Sequence, residues 1–265
     1  MTLARQIGCL FCGEPLSNRT SREHVIPSWL IDHLGISGDM LSPQRVTPEG
    51  TIINVRNHPV DELLEGRVCS GCNSGWMSRL EDDMKPLLPL LMSGNRRVDE
   101  LTSEESFGVA RWAAKTAFVL NSSSNYMKNV PLNHFRALND HPDVLPKGVL
   151  VAVHQHKNNG QFSWLQGASW RMRYLDESLA MEASSRSYKI ALQFQQLLLL
   201  IGYWPRDSWR YVLWKGVHHV LWPRRGPVAW LEKEGFPTAG SSEAMGVFLA
   251  SLEIMQDQPD NCSGT

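Results

Sequence analysis

The sequence predicts an α+β fold in two parts: an irregular, cysteine-bearing region over residues 1–95, then a mixed helical and antiparallel β region over residues 96–265. Three observations predict it. Four of the five cysteines form two Cys-x-x-Cys pairs, Cys9 with Cys12 and Cys69 with Cys72, both in the first region. An apolar series of helical period, Phe107, Ala110, Ala114, Ala117 and Phe118, opens the second region. From Gly148 to Trp230 the chain turns to β-branched and aromatic runs broken by Gly, Pro and Asn, the texture of short strands.

Taken in order, Glu23 to Leu34 reads as an extended segment leading into a short helix, with turn formers at Ser42-Pro43, Pro48-Glu49-Gly50 and Ser93-Gly94-Asn95. Ser74 to Leu91 reads as a helix opening just after Asn73. It must end or kink near Pro86 and Pro89, because proline lacks the donor that an interior turn requires. Thr102-Ser103-Glu104-Glu105 supplies an N-cap and early acidic residues for a helix running to about Leu120. Pro131 to Leu138 reads as another helix. The expected strands are Val149 to His154, Phe162 to Gly167, Ser169 to Tyr174, Tyr188 to Gly202, Trp209 to Trp214 and Val217 to Trp222, most economically in a mostly antiparallel sheet. Ser241 to Ile254 reads as a closing helix and Gln256 to Thr265 as a frayed tail.

Composition bounds the function. The chain has 265 residues, 42% apolar and 20% charged, which is the make-up of a globular protein and not of a disordered one. No run approaches the roughly 18 consecutive apolar residues of a spanning helix. The richest, Leu197 to Gly202, is flanked by Gln195, Gln196 and Arg206. Met1 to Gly8 has no apolar core and no small-residue cleavage site, so the expectation is a cytoplasmic chain with no membrane partner. The net charge of -1 excludes nucleic-acid binding through overall basicity, yet it conceals two unlike parts. Residues 1–95 hold eight basic and eleven acidic residues, a net -3, and residues 96–265 carry +2. The neutral total is thus a sum over two unlike parts.

The cysteines carry the sharpest chemistry. In a reducing compartment, two Cys-x-x-Cys pairs read as metal ligands and not as disulfides, and four thiolates complete a tetrahedral structural zinc site. Cys12-Gly13 and Ser70-Gly71 supply the glycines that let each turn close around an ion, while Cys262 stands alone in a polar tail. The finger would otherwise have too little core to fold.

Between the pairs lies Ser21-Arg22-Glu23-His24-Val25-Ile26-Pro27-Ser28-Trp29-Leu30, and after the second comes Cys72-Asn73-Ser74-Gly75-Trp76-Met77-Ser78-Arg79-Leu80-Glu81. An acidic residue beside a histidine, an apolar pair and proline, set next to a Cys-Asn helix start, resembles the HNH endonucleases, the ββα-metal nucleases. It is similar above all to bacterial HNH proteins whose zinc knuckle runs into a Cys-Asn-x-Gly-Trp-Met segment. The resemblance covers residues 9–30 and 69–81 closely and the rest only in general. It implies a zinc-stapled ββα-metal finger in residues 1–95, with Cys9, Cys12, Cys69 and Cys72 on a structural zinc. It makes His24 the general base, a role that suits histidine because the neutral imidazole of this residue type is available near neutral pH. It makes Glu23, where aspartate is commoner, and Asn73 the ligands of a catalytic divalent cation, and oxygen ligands point to magnesium or manganese. The middle asparagine of the motif has no occupant singled out by spacing: Asn54 and Asn57 both lie upstream of the second pair. Glu81, about two helical turns after Asn73, either joins the metal shell or sits on a solvated face beside Asp82 and Asp83.

Residues 161–230 hold seven of the ten tryptophans and a net charge of +5, from nine basic and four acidic residues. Arg171, Arg173, Arg206, Arg210, Arg224 and Arg225 interleave with Trp170, Trp204, Trp209 and Trp222. Such a stretch either tracks a phosphate backbone and stacks bases, or is a sheet with tryptophans inside and arginines outside. The function expected is thus an HNH endonuclease acting on DNA, in restriction or antiphage defence, with residues 96–265 serving recognition, regulation or dimerisation. Its further partners would be a second copy of the chain or a defence-system protein. The alternatives are a zinc-stapled nucleic-acid or protein-binding module without catalysis, and an HNH nuclease acting on RNA.

Overall fold

A computed structural model describes residues 8–16, 20–41, 44–46, 52–55, 57–124, 127–157, 160–167, 170–173, 186–207, 209–223, 228–232, 236 and 241–256. Cys262, Arg224, Arg225 and nearly all of the expected tail lie outside them. The fold is mixed α+β with antiparallel sheets, in two compact units: Met1–Pro89 with Arg111–Pro146, and Leu90–Ala110 with Lys147–Thr265. Where the sequence draws one boundary between residues 95 and 96, this division returns residues 111–146 to the cysteine-bearing unit.

In the first unit, strand β1 (Thr20–His24) leads through Pro27 into helix α1 (Ser28–Leu34), which ends at Gly35 in the left-handed conformation, φ 66°. Four short strands follow, β2 (Met40–Leu41), β3 (Gln44–Val46), β4 (Ile52–Val55) and β5 (His58–Pro59), paired β2 to β5 and β3 to β4. Strand β6 (Leu64–Cys69) returns antiparallel to β1, with Thr20 opposite Cys69 and His24 opposite Leu64. It runs without a loop into a helical segment made of α2 (Ser70–Cys72), a π-helical turn (Asn73–Met77) and α3 (Ser78–Met84). The helix therefore opens three residues before Asn73. The reason is local: the Cys69 sulfur accepts the Cys72 amide at 3.4 Å and caps the turn. Pro86 breaks the helix, and Pro89 is tolerated in the first turn of α4 (Leu88–Ser93). Helix α6 (Leu132–Asp140) starts after Pro131, as expected.

Helix α5 (Ser103–Ser123) carries the cap its sequence announces. The Thr102 hydroxyl accepts the Glu105 amide at 3.2 Å, and the Glu105 carboxylate accepts the Thr102 amide at 2.9 Å. Its residues 111–123 complete the core of the first unit. Trp112 and Phe118 are fully buried there, and Phe118 and Phe11 both meet Phe135, at 5.5 and 5.4 Å between ring centroids.

The second unit holds strands β7 (Val149–Gln155), β8 (Phe162–Gly167), β9 (Met172–Arg173), β10 (Tyr188–Phe194), β11 (Leu197–Tyr203), β12 (Trp209–Trp214), β13 (His219–Trp222), β14 (Val228–Leu231) and β15 (Glu253–Gln256), with helix α7 (Ser241–Ala250) before the last. Five strands form an antiparallel sheet in the order β13-β7-β11-β10-β8. Helix α7 sets Met245 and Phe248 into the same buried cluster as Leu150, Leu198 and Leu200 of this sheet. The second sheet, β14-β12-β15-β9, is mixed, because β12 pairs parallel with β14 and β15 parallel with β9. Two expectations are corrected: the sheet is two sheets, one of them mixed, and the closing helix stops at Ala250. Glu253 to Gln256 instead fill the middle of the second sheet, between β12 and β9. No helix among the described residues is long and apolar enough to cross a membrane.

Three of the seven tryptophans of the 161–230 stretch belong to the core, while Trp230 is exposed. Trp204, Trp209 and Trp214 are buried, and Trp170 packs against Trp204 at 5.5 Å and under the Lys189 ammonium at 5.0 Å. The histidine of the 218–219 pair that is buried, His218, bonds the Ser251 hydroxyl at 2.9 Å through Nε2. Burial drops His218 and His154 to about 4. Because these folded-state values lie below the ordinary 6.5, the stability they contribute is fully present above pH 6.5 and is lost as the pH falls towards 4. For His218 that loss is up to about 3 kcal/mol. Urea unfolding at pH 7 and pH 4.5 should show the fall, and a His218→Gln variant should show a shallower one.

A four-cysteine cluster and a buried Glu-Lys-Glu triad

The four cysteines of the two pairs come together although 56 residues separate Cys12 from Cys69. Cys9 reaches them because Gly8 bridges Pro15 across a tight loop, and Gly13 turns that loop with φ 86°. A side chain at Gly13 would also run into the Arg136 guanidinium. Cys69 and Cys72 are placed by the end of β6 and by α2. The four sulfurs all lie within 4.8 Å of one another, with Cys9 to Cys72 at 3.9 Å and Cys12 to Cys69 at 3.6 Å. Those separations match the edge of a tetrahedron with metal–sulfur bonds of about 2.3 Å, which is about 3.8 Å. They are far beyond a disulfide bond of about 2.05 Å, and all four cysteines are free.

Without an ion the surroundings lower one thiol and raise two others. Burial pushes the Cys9 thiol up, but the backbone amides of Cys12, Cys69 and Phe11 outweigh it and bring it down to about 7. Burial raises Cys12 and Cys72. A metal ion at the centre would reverse that by taking the charge of all four sulfurs. The cluster is thus fit to hold a zinc ion. It has no open position for chemistry, and its contribution is to join the loop of Cys9 and Cys12 to the β6–α2 turn.

A second cluster lies on β1, α3 and α5. Glu23, only 4% exposed, places Oε1 3.3 Å from the Lys115 ammonium, and the same ammonium meets Glu81 Oε1 at 2.7 Å. The Lys115 side chain is fully buried, the Glu81 side chain 19% exposed. A lone ammonium there would be strongly destabilised, and both carboxylates answer it. Burial works against the charged lysine, but Glu81 and Glu23 outweigh it and hold its pKa above the ordinary value. Glu23 goes the other way: burial lifts its carboxyl above the usual range, Lys115 pulls it down in part, and Glu81 lifts it again. Two carboxylates against one ammonium leave the triad with a net charge of -1. Glu65, opposite Glu23 in the β1–β6 register, takes Arg67 at 3.6 Å instead.

The sequence-derived residues are distributed as follows. Cys9, Cys12, Cys69 and Cys72 form one cluster. Glu23 and Glu81 meet through Lys115. His24 ends β1, half-buried, next to Glu23, and Asn73 opens the π-helical turn directly after Cys72, also half-buried. Among the described residues, no hydrogen bond joins Asn73 to Glu23 or His24. Asn57 is exposed just before β5, and Asn54 lies in β4 with its side chain outside the described residues, so neither is assigned to the middle position of the motif.

Lys115 is the residue that sequence reasoning missed. Its signal was present: from Trp112 to Leu120 it is the one charged residue in a nine-residue run of helix α5 otherwise made of apolar residues and one threonine. A charge so placed requires a buried partner. Trp76, from the same segment as Asn73, is likewise held by a basic residue of α5, with the Arg111 guanidinium 5.0 Å from its ring centroid. No protein-family model, no curated protein and no solved structure matches this chain.

Proposed function

We propose that the chain is a metal-dependent HNH-type endonuclease that hydrolyses phosphodiester bonds in DNA, with a structural zinc on the four cysteines. The observation that carries this reading is the path of the chain from β1 to α3. The strand bearing Glu23 and His24 pairs antiparallel with β6, and β6 passes through Cys69 and Cys72 into the helical segment that opens with Asn73. Strand, strand and helix in this order, stapled at the turn by four thiols, are the parts a ββα-metal finger requires.

Glu23 and Asn73 would hold a magnesium or manganese ion. The donors fit it: carboxylate and amide oxygens are the ligands such ions take, and the buried triad leaves one negative charge for a cation to meet. When bound, that ion would neutralise charge developing on the phosphate and on the leaving oxygen. His24, exposed in part at the end of β1, would take the proton of the attacking water through an imidazole nitrogen. Its neighbour Glu23 is held by Lys115 and cannot swing away, which keeps the strand end and its imidazole in place.

Incubation of zinc-loaded protein with plasmid DNA and magnesium or manganese tests the reading. Wild type is expected to cleave, and His24→Ala to lose about 10²- to 10⁴-fold in rate while keeping its zinc and its thermal midpoint. Equal cleavage by the two proteins removes His24 from the role of base. Cleavage of matched RNA but not DNA changes the substrate and leaves the mechanism in place. One observation favours a second reading, a zinc-stapled binding module without catalysis: Glu23 already has a cationic partner in Lys115.

A further inference from the structure

Helix α6 lies far beyond both cysteine pairs in sequence, yet it meets their cluster at three points. Phe135 packs against Phe11, between Cys9 and Cys12, at 5.4 Å between ring centroids. The Arg136 guanidinium lies against Gly13, close enough to exclude any side chain there. The Cys72 thiol donates to Asn139 Oδ1 at 3.7 Å, across 67 residues of sequence. Residues at these spacings share one side of a helix, so α6 turns a single side towards the cluster.

Arg136 is the member of this side that the fold leaves unanswered. Its Nε is buried with no hydrogen-bond partner, and among the described residues no carboxylate pairs with the guanidinium. Arginine keeps its charge throughout the range in which proteins are folded, so placing it here costs free energy that a negative neighbour must offset. The four cysteines become that neighbour when they are loaded, because four thiolates on one zinc ion leave two negative charges in excess. Four thiols without an ion are neutral and offer the guanidinium much less. The interaction therefore favours the loaded cluster over the empty one, and it shows as zinc affinity.

We propose that Arg136 is a positioning residue of the four-cysteine centre: its guanidinium offsets the excess negative charge of the zinc-loaded cysteines and holds the turn at Gly13 that carries Cys9 and Cys12. This rests on the reading of the four cysteines as zinc ligands.

The test is titration of the zinc-loaded full chain with a chromophoric chelator of known zinc affinity, which reads the zinc dissociation constant without any cleavage assay. Arg136→Met keeps an unbranched apolar stem and removes the charge; it is expected to weaken zinc binding about tenfold to a hundredfold. Arg136→Lys keeps the charge and is expected to stay within about threefold of wild type. The gap between wild type and Arg136→Met should narrow between about 0.1 M and 1 M salt, where the Debye length falls from about 10 to 3 Å, because salt screens a charge and not a packing contact. Should Arg136→Met not fold, Arg136→Gln takes its place with the same expectation. The proposal is overturned if the variant without the charge holds zinc within about twofold of wild type, or if Arg136→Lys weakens binding as much as that variant does. A wild-type chain that takes up no zinc overturns the zinc reading itself, and the two failures are thereby told apart.

Discussion

Removal of zinc by a strong chelator is expected to unfold the cysteine-bearing unit, and Cys72→Ser is expected to prevent its folding at 37 °C. The β6–α2 side of the cluster is also held by its pairing with β1, whereas the loop of Cys9 to Cys12 has few other anchors, among them the Leu10 amide donating to the Arg67 carbonyl at 2.9 Å. The loop of Cys9 to Cys12 bridges Gly8 to Pro15, and its anchoring side chain is Phe11, buried against Trp76 and Phe135. Four thiols left without an ion inside 4.8 Å of one another are a poor substitute: burial keeps Cys12 and Cys72 protonated, and sulfur hydrogen bonds at 3.4 to 3.9 Å are weak. Structural zinc in small fingers contributes about 10–16 kcal/mol, as much as the whole stability of a typical domain. Zinc per chain by elemental analysis should be one in wild type and near zero in Cys72→Ser, with a collapsed thermal midpoint. Cys262→Ser, outside the two pairs, should change neither.

Lys115→Met is expected to destabilise the folded chain by about 3–5 kcal/mol, the usual cost of breaking a buried ion pair from one side. Methionine fills the volume, so the loss is electrostatic: Glu23 and Glu81 are left facing each other without a counter-charge. The cost has a pH signature. Burial lifts the Glu23 carboxyl above the usual range, so it gives up its charge as the pH falls, and the difference from wild type should shrink from pH 7 to 4. The double variant Lys115→Met, Glu81→Gln should recover part of the loss at pH 7. Urea midpoints for wild type, Lys115→Met, Glu81→Gln and the double variant at pH 7 and pH 4 check this. A loss that is the same at both would place the effect in packing and not in charge.

What was legible in the sequence was local. The spacing of the cysteines announces their cluster, and Thr102 with Glu105 announces the start of α5, because cap and ligand geometry are set within a few residues. The bounds of β8 and β12 follow from their runs of aromatic and branched residues. Three things were not legible, each for a physical reason. Lys115 finds its carboxylates 92 and 34 residues away, and no periodicity encodes a partner. The run through Ile254 suits a helix as well as a strand, and only its place between β12 and β9 decides for the strand. The helix after β6 opens at Ser70 because a cysteine sulfur does the capping, a role that the usual N-cap residues do not suggest.

The assignment of Glu23 and His24 is tested most directly by anomalous diffraction from crystals of the zinc-loaded protein soaked in manganese. The account predicts two separate peaks: zinc at the centre of the four cysteine sulfurs, and manganese against the Glu23 carboxylate, within reach of Asn73 and beside His24. A single zinc peak, with the Glu23 carboxylate contacted by the Lys115 ammonium alone at saturating manganese, would contradict it.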